Sequence, residues 1–418
     1  MSKMDLREKS TAPRWRLVFC VTLATGVLIS FLFPDLWSLW LGPLHYSDHY
    51  GWLYPFLDMQ GRIAAFEGHR AGIDMLYQRN PFDPMGRLNV KPSWPLHLSF
   101  LGIGRPHLVP LSFAVIIATL GVFMHLVRPK NFIELALAFF ICFSPPILLG
   151  IERANDDLLY FCLLAILPAL FSRKRAWGKW CAWIWILLLT PAKFYPGAAF
   201  ALLLFEERER TRLAMMLGMA AAFLALHTGL NIEELQRIRE IVPRPDSYMS
   251  HGLPALAEAL GNPLRIKGIF ILAVGLLSLL IIVKKDVQLG DACPKNEARW
   301  FILGASIWFF CFVVNSNFDY RLVYFIFMLP LLLSLSRSAS STVTTLLGRT
   351  TLLLLIPAFW CDIFWLHMLR SPDGFWQYDA LATVNIIKNI TFAVLALFIC
   401  MLSAHILKPN LRHLLNLK

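Results

Sequence analysis

Two aspartates stand in the first long polar stretch of the chain, within Ser47-Asp48-His49-Tyr50-Gly51-Trp52 and Leu57-Asp58-Met59-Gln60-Gly61-Arg62. A carboxylate at the edge of an apolar medium can serve as a general base, because partial burial raises its pKa toward working pH. Helix and turn capping is the competing role, and for Asp48 and Asp58 both stay open. For Asp83, inside Asn80-Pro81-Phe82-Asp83-Pro84-Met85-Gly86-Arg87, capping is preferred, since Asn-Pro and Asp-Pro start turns.

Three further polar clusters interrupt apolar sequence. Glu152-Arg153-Ala154-Asn155-Asp156-Asp157 directly precedes an apolar run, where such residues are costly unless paired. An N-cap with acids at the helix dipole accounts for Asn155 or Asp156 and leaves Glu152 and Arg153 unexplained. Lys193 and Tyr195 sit between two short apolar segments. A lysine at that depth marks a bound anion or a buried carboxylate, with snorkelling as the alternative. Asn315-Ser316-Asn317-Phe318-Asp319-Tyr320-Arg321 is a similar knot. Arg321 could take a phosphate through its planar fork, or pair locally with Asp319. No histidine forms an HExxH pattern, and the eight cysteines contain no CxxC pair. Neither a zinc site nor a disulfide framework is expected.

The elements that hold these residues are written in the composition. Of 418 residues, 57% are hydrophobic and only 16% charged, against about 25% charged in soluble domains. With a mean hydropathy of +0.58, this excludes a soluble domain, a disordered chain and a fibre. Long unbroken apolar runs, rather than alternation, exclude a β-barrel. The net charge of +12 would suggest nucleic acid in a soluble protein; here the basic residues are read as topology signals, and no nucleic-acid partner is expected.

Twelve apolar segments are expected as membrane helices, near 17–33, 107–127, 132–151, 158–172, 177–191, 194–205, 213–230, 268–283, 300–314, 322–336, 351–369 and 384–407. Seven basic clusters fall on one side only if 177–205 turns back on itself at Lys193. The positive-inside rule therefore favours a hairpin of short helices, both termini cytoplasmic, and an uncleaved first helix. The polar clusters then share the outer face. Residues 1–418 form a single integral membrane domain. Its long first outer loop, 34–106, is expected to carry short helices lying along the bilayer surface.

In order and spacing, Asp58 with Gly72-Ile73-Asp74, Asn80 to Arg87, Glu152 to Asp157, Lys193-Phe194-Tyr195-Pro196 and Asn317-Phe318-Asp319-Tyr320-Arg321 resemble bacterial multi-pass glycosyltransferases of the GT-C class. The relatives in view are mannosyltransferases that use polyprenyl-phosphate-mannose. The likeness spans about residues 47–337. It departs at Ala154, where the motif usually has Gly, and at Val90-Lys91-Pro92, where it usually has Asn-Tyr-Pro.

The resemblance implies an inverting transferase that takes a sugar (mannose or a similar hexose or pentose) from a polyprenyl-phosphate donor. The acceptor would be a lipid-linked or cell-envelope glycan outside the bacterial plasma membrane. Asp58, which keeps the family spacing to Gly72 and Asp74, ranks before Asp48 as catalytic residue. The implied substrate-binding residues are Arg62, Arg87, Glu152, Arg153, Asn155, Asp156, Lys193, Tyr195, Asp319, Tyr320 and Arg321. No cofactor is implied, and no metal is required, because no nucleotide diphosphate leaves. The main alternatives are a transporter or flippase of lipid-linked sugars and an envelope polysaccharide polymerase or ligase.

Overall fold

The structure, a computed structural model, describes residues 3–33, 35–41, 56–173, 176–242, 250–284, 293–314, 317–338, 342–368 and 378–416. It is 81% helical. Helices α1 (Lys3–Leu32), α2 (Asp35–Leu41) and α3 (Leu57–Arg70) are followed by α4 (Leu108–Leu126), α5 (Phe132–Cys142), α6 (Pro145–Glu152), α7 (Asp156–Leu164), α8 (Leu167–Ser172) and α9 (Ala176–Leu189). Next come α10 (Ala201–Glu206), α11 (Arg210–Leu230), α12 (Ile232–Ile241), α13 (Leu253–Ala259), α14 (Pro263–Val283) and α15 (Lys295–Val314). The last three are α16 (Leu329–Arg337), α17 (Thr342–Met368) and α18 (Tyr378–Leu415). Longer 3-10 segments cover Trp94–Leu101, Tyr195–Phe200 and Asp319–Phe327. Among the described residues the sheet is one antiparallel ladder, β1 (Ser250–His251) with β2 (Asn317–Phe318).

Each of the twelve apolar segments is helical over its described residues, but not each is one continuous span. Six helices are long and apolar enough to cross a membrane, or up to eight if two bent pairs count as spans. The bent pairs are α5–α6, at 50°, and the 319–327 segment with α16, at 54°. Both bends precede prolines (Pro145-Pro146 and Pro330), which remove an amide donor and clash with the preceding turn. The chain is a helical membrane protein by length and composition.

Helix α15 is the axis of the bundle: 67% of its span is buried, against 6% for α14 and 17% for α11. Gly304 lets the 319–327 segment approach it, since a Cβ there would lie 2.6 Å from the Tyr324 carbonyl oxygen. Aromatic contacts fill this junction. Phe161 stacks on Phe327 at 4.3 Å, and Trp308 packs on Phe325 at 4.7 Å.

The segment 176–206 is a hairpin. Lys179, near the start of α9, donates to the Glu206 carbonyl at the end of α10 and pairs with Glu207, at 3.1 and 3.0 Å. That pairing requires the chain to reverse near 190–194, as the charge pattern predicts. At this end the basic clusters meet partners from other helices. Arg299 and Lys295 reach Glu206, Arg337 reaches Glu134, and Arg412 reaches the Val283 carbonyl.

Candidate functional site

The opposite end of the bundle gathers residues distant in sequence. Its centre is the junction of α6 and α7, where Ala154 is left-handed, with φ of 44°. The Asn155 amide donates to the Gly150 carbonyl at 2.9 Å and the Ala154 amide to Ile151 at 3.0 Å. These two bonds make a Schellman cap with Ala154 in the position that favours glycine. Alanine tolerates the conformation at a cost. The cap ends α6 and turns the chain into α7, with Glu152 and Arg153 before the turn and Asp156 and Asp157 after it.

On the first side lies the start of α3. The amides of Asp58 and Met59 point at the Arg153 carbonyl, at 3.2 and 3.4 Å, so the loop caps the helix. Asn155 does two things. Its side-chain oxygen accepts from the Asp157 amide at 2.7 Å, and its Nδ2 donates to Asp58 Oδ2. It is the N-cap of α7 and also the residue that orients the candidate base. Asp58 is half-buried.

On the second side four cations surround two carboxylates. Arg62 and Lys91 both pair with Asp156, Lys91 at 2.8 Å. Lys193 pairs with Asp157 Oδ1, and Arg321 Nε lies 3.4 Å from Asp157 Oδ2. Tyr195 donates to Asp157 as well, and the single Tyr324 hydroxyl hydrogen is shared between the Asp157 carbonyl, at 3.2 Å, and the Tyr195 hydroxyl, at 2.9 Å. The Tyr195 ring lies 5.6 Å from Lys193 Nζ and 5.7 Å from Arg321 Cζ, within cation–π range of both. Glu152 and Arg153 are neighbours at 3.9 Å. The four cations exceed the two aspartates by two positive charges. Nη1 of Arg62 is buried with no acceptor among the described residues, an arrangement that calls for a further acceptor.

The loop and helix groups also feel one another electrostatically. Burial lowers the Lys91 ammonium below its ordinary pKa; Asp156 opposes this, while Arg62 and Lys193 add to it. For Arg62 burial is again the largest single effect and lowers the pKa, but Asp156, Tyr160 and Tyr195 together outweigh it and the guanidinium ends above its ordinary value.

The 3-10 winding of 319–327 decides which partner each polar residue meets. With about three residues per turn, positions i and i+3 align. Arg321 and Tyr324 therefore share the face turned to Asp157, and Asp319 points elsewhere. Asp319 accepts from Lys388 at 2.6 Å and meets His251 Nδ1 at 3.1 Å, in a buried triad. A local Asp319–Arg321 pair does not form; Arg321 binds Asp157 and the Asn317 side chain instead.

Of the residues expected from sequence, the structure brings together Asp58, Arg62, Glu152, Arg153, Asn155, Asp156, Lys193, Tyr195 and Arg321. Tyr320 lies alongside, its Cβ 3.4 Å from a Cβ built on Gly150, stacked on Phe318 at 5.4 Å. Arg87 lies at the back of α3, bound to Asp83 at 2.9 Å and to the Leu57 carbonyl at 3.0 Å. Asp83 accepts from the Met85 amide at 2.8 Å, a turn cap. Asp48 lies outside the described residues.

Sequence reasoning named Asp157 within its polar cluster but gave it no binding role, and it missed Tyr324 as an anchor of the centre and Lys91 as its fourth cation. It also missed Lys388, the one residue of charged type in the 384–407 run, a signal that was available.

No family model matches the chain, and no curated protein and no solved structure is significantly similar to it.

Proposed function

We propose that the chain is a membrane-embedded, inverting glycosyltransferase of the GT-C kind. In this reading twelve segments cross or enter the bilayer, both termini are cytoplasmic and the charged centre faces outward. A sugar passes from a polyprenyl-phosphate donor to a lipid-linked or envelope glycan. The observation that carries the reading is the cation surplus at Asp156 and Asp157, beside an aspartate held by Asn155.

The chemistry suits that pairing. Asp58 takes the proton of the acceptor hydroxyl while its oxygen bonds to the anomeric carbon and the bond from that carbon to the phosphate oxygen breaks. The phosphate then carries one more negative charge than in the donor. Lys193, Arg321, Arg62 and Lys91 are fixed in advance by the aspartates, so they stabilise charge that grows during the reaction with little reorganisation. An apolar bundle can hold a polyprenyl tail that water would not.

A transporter or flippase is the second reading. It is favoured by the two bent helix pairs, because interrupted helices line the binding sites of many transporters. One assay separates the two. Membranes containing the chain are given a radiolabelled polyprenyl-phosphate sugar. Label in a new glycosidic product supports the transferase, and movement of intact donor across the bilayer without product overturns it.

A further inference from the structure

The loop that delivers Lys91 to Asp156 continues to Trp94, and there it forms one wall of a cleft of about 260 Å³. Three residues span at most about 11 Å, so the cleft adjoins the charged centre. The other wall is the end of α11 and the start of α12, with Phe223, His227, Asn231 and Glu234. The walls are tied together: the Ser93 amide and hydroxyl donate to the two Glu234 oxygens, at 2.5 and 3.0 Å. The Trp94 ring stands nearly perpendicular to His227 at 6.2 Å and is 40% exposed. Phe223 stacks on His227 at 6.4 Å.

The lining selects among ligand classes. It contains no lysine or arginine, so a phosphate would meet the Glu234 carboxylate with no cation to offset it. A hydrocarbon chain would have to desolvate Glu234 and Asn231. A pyranose ring has an apolar C–H face for an indole and a hydroxyl edge for a carboxylate and an amide, which matches both halves of the lining. Trp94 lies at the C-terminal end of α11, beside His227 and Leu230, the latter 76% exposed.

We propose that this cleft binds one hexopyranose unit of a glycan acceptor, the unit beyond the one presented to Asp58, with its ring against Trp94. That the glycan is an acceptor rests on the transferase reading; that the cleft takes a hexose does not.

The test is binding in lipid nanodiscs, with three octyl trisaccharides (of mannose, glucose and galactose) and octyl phosphocholine, each carrying the same diazirine. Labelled peptides are mapped by mass spectrometry. At least one trisaccharide is expected to label 92–94 or 223–235, with competition by the free sugar. Trp94→Ala should weaken that labelling about five- to tenfold and Trp94→Phe much less. Labelling by phosphocholine alone, equal labelling by all probes, indifference to Trp94→Ala, or no labelling overturns the proposal. A chain that binds a trisaccharide but transfers no sugar keeps the cleft and loses the transferase reading. Transfer without sugar in the cleft loses the cleft alone.

Discussion

Two buried aspartates, Asp157 and Asp319, are each flanked by cations, and they are built for opposite purposes. Around Asp157, Lys193 and Arg321 keep 13% and 24% of their side-chain surface exposed. Around Asp319, Lys388 and His251 expose none. The open cluster has more cations than anions and, among the described residues, leaves Arg62 Nη1 without an acceptor. The closed one lies where three chain segments cross. The β1–β2 ladder brings 250–251 against 317–318, and Asn389 accepts from the Gly252 amide at 2.9 Å. Exposure and surplus charge mark groups that can exchange partners, whereas full burial marks groups that hold segments together. The same residue types yield a site in one place and a clamp in the other.

The comparison breaks most sharply at the candidate base. Asp58→Asn keeps the volume and the bond from Asn155 but removes basicity, so transfer should fall by about 10²–10⁴ with donor binding and folding intact. Asp48→Asn should be milder. Turnover near normal in Asp58→Asn would move the role to Asp48, and normal turnover in both would end the first-loop base.

The closed cluster should fail by unfolding instead. Lys388→Met leaves Asp319 buried beside His251 alone, and breaking a buried pair costs about 3–5 kcal/mol. A clear fall in the thermal unfolding midpoint is expected in detergent, partly restored when Asp319→Asn is added. An unchanged midpoint would contradict the clamp.

A smaller effect is expected at Arg321. Arg321→Lys keeps the charge and loses the fork shared by Asp157 and Asn317, so the donor KM should rise severalfold with folding unchanged. An unaltered donor KM in both Arg321→Lys and Arg321→Ala would remove it from donor binding. The smallest change is at Ala154, whose left-handed backbone would be relaxed by glycine. Ala154→Gly should leave stability level or raise it by up to about 1 kcal/mol, while Ala154→Val should lower it. Loss of stability in Ala154→Gly would refute the strain argument.

How much of this was legible in sequence depends on distance along the chain. The hairpin at 190–194 was legible because charge placement is a global constraint that needs no contacts. Asn155, Asp156, Lys193 and Arg321 were legible because polar residues between apolar runs are conspicuous. The pairing of Arg321 with Asp157 was not, since it spans 164 positions and depends on a 3-10 winding with no distinct pattern. The ladder of two residues per strand is too short to show alternation. Lys388 was a visible signal, a cation between Asn385 and Asn389, but the high mean hydropathy of the 384–407 run masked it. The bends at Pro145 and Pro330 were visible as prolines, but their depth, and hence the number of clean spans, was not.

The basic end of the bundle has a consequence for the direction in which each helix can pack. Its cations do more than mark a side. Arg16 donates to the Met124 carbonyl, Lys179 to Glu206, Arg210 to His413, Arg349 to Ser336 and Arg412 to Val283. Each acceptor lies in the last turn of a different helix, where carbonyls lack partners. A span threaded backwards would bring its amide end to the same cations, donor facing donor, and gain nothing. The cations that form the basic end of the bundle thus also hold the C-terminal carbonyls of five helices, and a helix packed in reverse would lose that bond.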